Sequence, residues 1–134
     1  MSSRNNAVEA LNEVRLLFSD MGKYVDLILV EGPRDLEAIR ALGYQGRAEI
    51  LSQIGVQSND LVYALAENCL NVLVLTDFDE QGRALERRLT NMFEKAGVKV
   101  EKGARRCLGR LMSALRAYEV EDLGNAMERL ERGE

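Results

Sequence analysis

Short apolar segments alternate with amphipathic segments along most of the chain, and this alternation restricts the fold more than any other feature. Strand-length apolar runs are predicted at residues 24–30, 47–52, 71–75 and 98–101. Helices with apolar residues at three- and four-residue spacing are predicted at 34–42, 60–69 and 83–96. Such alternation is typical of a parallel sheet, and right-handed crossovers place helices on both faces. The pattern therefore predicts an α/β fold with a mostly parallel four-stranded sheet.

Further amphipathic helices flank this core, at residues 5–21 before the first strand and at 104–118 and 121–131 after the last. The chain has 134 residues and is 46% hydrophobic, which suits one compact domain with its own core. We expect a single domain over residues 1–134, with an N-terminal helix in 1–22, an α/β core in 24–103 and C-terminal helices in 104–134. The last helix is expected to pack on the core, and a dimer seam is the alternative.

Composition argues for a cytoplasmic protein without a membrane partner. The sequence has no apolar run of the roughly 18 residues that a membrane span requires. Its first residues lack the apolar core and small-residue cleavage site of a signal peptide. Cys69 and Cys107 lie far apart in apolar, helix-like segments, which favours reduced core thiols.

Histidine is absent from the chain, which removes the commonest general base and the commonest zinc ligand. Catalysis would then depend on carboxylates, lysine or arginine, tyrosine, hydroxyls or a bound cation. Oxygen-rich ligand sets favour Mg²⁺, Mn²⁺ or Ca²⁺ over zinc.

The charge is unevenly distributed. The net charge is −4, yet residues 83–110 carry nine basic and three acidic side chains, so that segment is +6 and the remainder −10. A basic face on an acidic protein is compatible with an anionic partner such as nucleic acid. A solvated helix face is the alternative explanation.

Acidic residues follow two of the predicted strands. Glu31 comes directly after LILV, and Asp77 and Asp79 follow VLVL. In an open α/β sheet, ligands bind outside the carboxyl ends of the strands, so neighbouring strands would bring these carboxylates to one edge. Packed carboxylates resist ionisation unless a divalent cation lies among them, and Mg²⁺ binds carboxylates, water and phosphate oxygens. The alternatives are a solvated turn for the aspartates and a helix-capping acid for Glu31.

The residues around these acids resemble the two signature motifs of the Toprim domain. The motifs are VEGPRD at 30–35 and LTDFDEQGR at 75–83, and the resemblance covers about residues 25–103. The Toprim domain is the catalytic domain shared by topoisomerases, bacterial primases, OLD-family nucleases, recombination-repair proteins and the maturase ribonucleases of 5S ribosomal RNA. The form seen here is closest to the maturases and to small stand-alone members. The resemblance implies a Rossmann-like Toprim fold.

By position in the motifs, the resemblance implies that Glu31 is a general acid/base and that Asp77 and Asp79 hold Mg²⁺, with Mn²⁺ as an alternative. Glu31 is also a candidate metal-site residue, as a third carboxylate. Asp35 occupies a position where maturase-like members carry an acid, and it could equally be a first-turn helix acid. Arg83 departs from topoisomerases and maturases, where an acid usually follows the glycine, and it is similar to the archaeal stand-alone members.

Several residues near these motifs are candidates for binding substrate phosphates. Gly32 and Gly82 allow close backbone approach, and the guanidinium of Arg83 can clamp a phosphate. A basic stretch after the fourth predicted strand could contact neighbouring phosphates without reading sequence. The full candidate set is Gly32, Asp35, Gly82, Arg83, Lys102, Arg105, Arg106 and Arg110.

Three functions are compatible with these residues. The first is Mg²⁺-dependent cleavage of phosphodiester bonds in RNA or DNA by a nuclease-like Toprim protein. The second is primase-like nucleotidyl transfer at the same site. The third is a non-catalytic module that binds nucleic acid or a protein partner, and a homodimer is also open. The length excludes a complete topoisomerase or primase.

Overall fold

The computed structural model describes residues 3–51 and 58–133. Its strands are β1 (Leu27–Val30), β2 (Ala48–Ile50), β3 (Asn71–Leu75) and β4 (Lys99–Val100). Its α-helices are α1 (Ser3–Asp20), α2 (Pro33–Ala41), α3 (Ser58–Ala66), α4 (Glu80–Lys95), α5 (Lys102–Ala114) and α6 (Val120–Glu131), and a 3-10 turn (Met21–Lys23) follows α1. Ser52, the last residue of the second predicted strand, lies outside the described residues.

The strands form one four-stranded sheet in the order β2-β1-β3-β4, with every pair parallel. The central pair is β1 and β3, in which Val30 lies opposite Leu75. This register brings the carboxyl ends of the two strands level, directly before the acidic residues. The predicted α/β class, parallel sheet and flanking terminal helices are confirmed.

Both faces of the sheet are covered by helices, which explains why β1 and β3 are continuous apolar runs. One apolar cluster joins the sheet to α3 and α4, with Leu61, Leu65, Leu89 and Phe93 among its buried residues. The other joins the opposite face to α1, α2, α5 and α6, with Phe18, Ile39, Leu108 and Leu123 among its buried residues. The apolar side of α6 is therefore part of the core.

Helix α4 begins earlier than the sequence suggested. The prediction placed its start at Arg83, after a turn containing Gly82, but the helix begins at Glu80. Asp79 is its N-cap, because the Asp79 side chain accepts the Gly82 N–H and satisfies a donor that the first helical turn leaves free. Gly82 is therefore part of the first helical turn.

Within residues 3–51 and 58–133, no helix has the length and apolar character needed to cross a membrane.

Candidate metal centre

The candidate site is built where β1 and β3 end side by side. Glu31 directly follows β1, and its Oε2 atom accepts a hydrogen bond from the main-chain N–H of Asp77 at 3.1 Å. This contact joins residues that are 46 positions apart in the chain. The sheet order thus brings Glu31 and Asp77 together, as the strand-end argument predicted.

Asp77 is held by the start of α6 as well as by the sheet. Its Oδ1 atom accepts the Val120 N–H at 3.1 Å, and the next residue, Phe78, donates its N–H to the Tyr118 carbonyl at 2.7 Å. The segment 118–120 therefore fixes the main chain and the carboxylate of the candidate metal ligand. No local signal in the sequence indicated this contact, which spans 43 residues.

Asp79 closes the turn between β3 and α4. Its Oδ1 atom lies 2.7 Å from the Gly82 nitrogen, and the buried Thr76 hydroxyl donates to the Gly82 carbonyl at 2.6 Å. A Cβ atom at Gly82 would lie 2.1 Å from the Asp77 carbonyl oxygen, so only glycine allows the helix to start this close to the strand end. Gly82 thus sets the spacing between the two aspartates and α4.

Asp35 extends the acidic cluster from the first turn of α2. Its Oδ2 atom accepts the Gly32 N–H at 3.1 Å, which is the role of a helix-capping acid. Burial, then the charge of Asp77, raises the pKa of Asp35 to about 6. Burial, with the side chain of Asp77 and the charge of Asp35 adding to it, raises the pKa of Glu31 to about 6. Burial is the larger cause of both shifts, and neighbouring acidic charges add to it.

More acids surround the site from the start of α6, and sequence reasoning missed them. The pKa of the exposed Glu119 is raised chiefly by Asp122 and then by Asp77. The charge of Glu121 in turn contributes to the raised pKa of Asp35. One side of the site is therefore strongly negative, which favours a cation there and disfavours a polyanion.

The donor set fits a hard divalent cation. Glu31, Asp77 and Asp79 each use one carboxylate oxygen to accept a main-chain N–H, which fixes the side chain. Mg²⁺ needs only one or two carboxylates, with water and substrate oxygens completing its shell. Among the described residues, no three Asp, Glu or Cys side chains are already gathered around one point.

The acidic cluster predicts a stability change with pH. The folded-state pKa values of Glu31 and Asp35, about 6, lie above their ordinary values of 4.5 and 3.8. The folded state therefore binds more protons than the unfolded state in this window, and stability from these groups falls as pH rises from about 4 to about 6. Without divalent metal, we expect Asp35→Asn to flatten this part of the profile, measured by urea unfolding across pH. Parallel profiles for wild type and variant would contradict it.

The structure separates the basic candidates by environment. Arg83, Arg106 and Arg110 are exposed, and Lys102 forms a 3.0 Å ion pair with Glu94. Arg105 instead donates to main-chain carbonyls beneath the site. The basic residues lie on α4 and α5, whereas the acids lie at the start of α6.

Comparison with known proteins agrees with this architecture. A profile of the Toprim domain family matches residues 26–107. The UPF0292 protein of Methanosarcina acetivorans is 29% identical over 123 residues, which cover 92% of this chain and 83% of that protein. The UPF0292 protein of Pyrococcus furiosus is 34% identical over 108 residues, which cover 81% and 79%. A solved structure of a protein from Aquifex aeolicus shares the fold, with a TM-score of 0.62, 21% identity, and coverage of 86% of this chain and 95% of that one.

The chain therefore belongs to the Toprim domain family, whose members in general act on nucleic acids and bind Mg²⁺. Within that family it is a small protein similar to the UPF0292 proteins of Methanosarcina and Pyrococcus. The predicted family resemblance is confirmed.

Proposed function

We propose that this protein cleaves phosphodiester bonds of nucleic acid in a Mg²⁺-dependent reaction. The observation that carries the proposal is the 3.1 Å hydrogen bond between the Glu31 carboxylate and the Asp77 main chain, which joins the two motif-bearing strand ends. Phosphoryl transfer relies on positioning and charge neutralisation, so a site without histidine is suited to it.

The proposal assigns Asp77 and Asp79 as the residues that hold Mg²⁺ (or Mn²⁺), with Glu31 completing the carboxylate set. When bound there, the cation would neutralise charge on the phosphate that undergoes attack. The chain itself fixes both aspartates, because Asp77 accepts an N–H at the start of α6 and Asp79 caps α4.

Glu31 is the candidate general acid/base. Its Oε2 atom is anchored by the Asp77 N–H, and its raised pKa of about 6 leaves about a tenth of the carboxyl groups protonated at pH 7. In cleavage, Glu31 would move a proton to or from the oxygen that leaves or attacks.

Exposed basic side chains on α4 and α5 are proposed to hold the flanking phosphates. Arg83 lies near the start of α4, and Arg106 and Arg110 are four residues apart on α5. The acids at the start of α6 repel a polyanion. The substrate backbone would therefore approach the site over α4 and α5.

Substitution of Glu31 tests the proposal. We expect Glu31→Gln to lower Mg²⁺-dependent cleavage of structured RNA or of nicked or branched DNA by about 100-fold or more, because general acid–base catalysis contributes at least that factor. Glu37→Gln, an exposed acid on α2, is the matched control and should retain full activity. Equal cleavage by wild type and Glu31→Gln would contradict the assigned role.

The same preparations distinguish the other two functions. Template-directed incorporation of labelled nucleotide would indicate primase-like nucleotidyl transfer. Salt-dependent binding of RNA or DNA without turnover would indicate a binding module, alone or with a protein partner.

We propose a cytoplasmic location for the protein, in keeping with free thiols at Cys69 and Cys107.

A further inference from the structure

The guanidinium of Arg105 lies beneath the candidate metal centre rather than in solvent. Its Nη1 atom donates to the Val74 carbonyl at 3.2 Å and to the Thr76 carbonyl at 2.8 Å, and its Nη2 atom donates to the Asp77 carbonyl at 3.1 Å. One side chain on α5 thus binds three main-chain oxygens along the end of β3 and the start of the acidic turn.

These carbonyls need a partner because β4 is short. The last main-chain contact between β4 and β3 is the Glu101 N–H donated to the Val72 carbonyl at 2.8 Å. Carbonyls on one edge of a strand recur every second residue, so those of Val74 and Thr76 face the same edge beyond the end of β4. Arg105 supplies donors where a longer strand would have done so, and the arginine fork can serve several acceptors at once.

Arg105 also stacks on the residue between the two aspartates. Its guanidinium carbon lies 4.2 Å from the centre of the Phe78 ring. The ring packs closely against α5, since a Cβ atom at Gly109 would lie 3.2 Å from it. The main chain of Asp77 and the ring of Phe78 are therefore both held from α5.

We infer that Arg105 is a positioning residue for the candidate metal centre, which fixes the main chain through Asp77, and is not the phosphate ligand that its place in the basic stretch suggests. The inference rests on the proposed function, because it assumes that Asp77 and Asp79 bind the cation. It assigns phosphate contacts on α5 to the exposed Arg106 and Arg110 instead.

The charge of Arg105 and its main-chain contacts predict changes of opposite sign in metal affinity when the residue is replaced. The charge of Arg105 interacts with the carboxylates of Glu31 and Asp77. Removing a cation from beside a metal site would by itself strengthen Mg²⁺ binding. Loss of the main-chain contacts would weaken it, since removing a group that orients a metal ligand typically lowers affinity by about 10–100-fold. The sign of the change therefore separates the two roles.

Calorimetric titration of Mg²⁺ and Mn²⁺ into the full chain tests the inference. We expect Arg105→Met to weaken binding by about tenfold or more, and Arg105→Lys to weaken it by less, because lysine keeps the charge and some donors but lacks the planar fork. Arg106→Met is the matched control, on the adjacent exposed residue, and should bind metal within about twofold of wild type.

Nucleic-acid binding gives a second readout, which separates a positioning residue from a phosphate ligand. A phosphate ligand contributes about one unit to the salt dependence of binding. We expect Arg105→Lys and Arg105→Met to keep the wild-type salt slope, and Arg110→Met to reduce it.

Tighter or unchanged metal binding in Arg105→Met, or a reduced salt slope in either Arg105 variant, overturns the inference while the proposed function stands. If Arg105→Met does not fold, unchanged metal affinity in Arg105→Lys overturns it. Absence of metal binding by the wild type overturns the proposed function itself.

Discussion

Replacing Gly82 by alanine is expected to lower Mg²⁺-dependent activity by about 100-fold or more, because displacement of a reacting group by about 1 Å costs about that factor. The added Cβ would lie 2.1 Å from the oxygen, 2.6 Å from the carbon and 2.9 Å from the nitrogen of Asp77, all of them main-chain atoms. The helix or the turn must therefore move. We also expect destabilisation of about 1–3 kcal/mol, as for other overpacked sites, measured by urea unfolding.

Gly103 provides the control for this substitution. It also lies in the first turn of a helix, but a Cβ there would meet only the Glu101 carboxylate that caps the helix, at 3.3 Å. Gly103→Ala should leave activity unchanged and change the free energy of unfolding by less than about 1 kcal/mol, since the higher helix propensity of alanine offsets the close contact with the cap. Wild-type activity and stability in Gly82→Ala would show that the strand end and α4 are not held as closely as described.

The second large effect is expected from Asp77→Asn, in which activity and stability should change in opposite directions. Loss of the charge should lower Mg²⁺-dependent cleavage by about 100-fold or more, because a bound cation contributes several kcal/mol of charge stabilisation. The amide oxygen can still accept the Val120 N–H, so the contact with α6 survives. Repulsion of Glu31 and Asp35 is relieved, which should slightly raise the free energy of unfolding in chelator.

Asp20→Asn is the comparison for Asp77→Asn. Asp20 is exposed at the end of α1 and forms only a surface pair with Lys23. Its substitution should change neither activity nor stability measurably, as surface pairs contribute little. Lower stability of the metal-free Asp77→Asn variant would contradict this prediction. It would indicate that the Asp77 carboxylate stabilises the start of α6 and does not serve to bind a cation.

The pattern of apolar segments in the sequence predicted most of the fold, including the four-stranded parallel sheet. The segments LILV and VLVL are apolar throughout, as expected for strands covered on both faces, and residues 71–75 were predicted with their observed bounds. The sequence argument for the site was conditional on β1 and β3 being neighbours, and the observed sheet order meets this condition. The structure brings Glu31 and Asp77 together, and their catalytic and metal-binding roles stay predictions.

Contacts between distant segments could not be predicted from the sequence. The Asp77 carboxylate meets Val120 across 43 residues, and Arg105 reaches the β3 carbonyls across 28 to 31 residues. Helical periodicity places Arg105 on the inner face of α5, three and seven residues before the buried Leu108 and Met112, but its carbonyl partners could not be predicted from the sequence. The start of α4 was misplaced by three residues because the capping role of Asp79 looks the same as a turn in sequence.

The proposed function depends on a divalent cation bound between Asp77 and Asp79. The most direct measurement is a crystal structure of the protein soaked in Mn²⁺, with data collected for the anomalous signal of manganese. We expect one strong anomalous peak within about 2.0–2.3 Å of carboxylate oxygens of Asp77 and Asp79, with Glu31 beside it. A fully soaked crystal with no peak at these aspartates, or with its main peak elsewhere, would contradict the account.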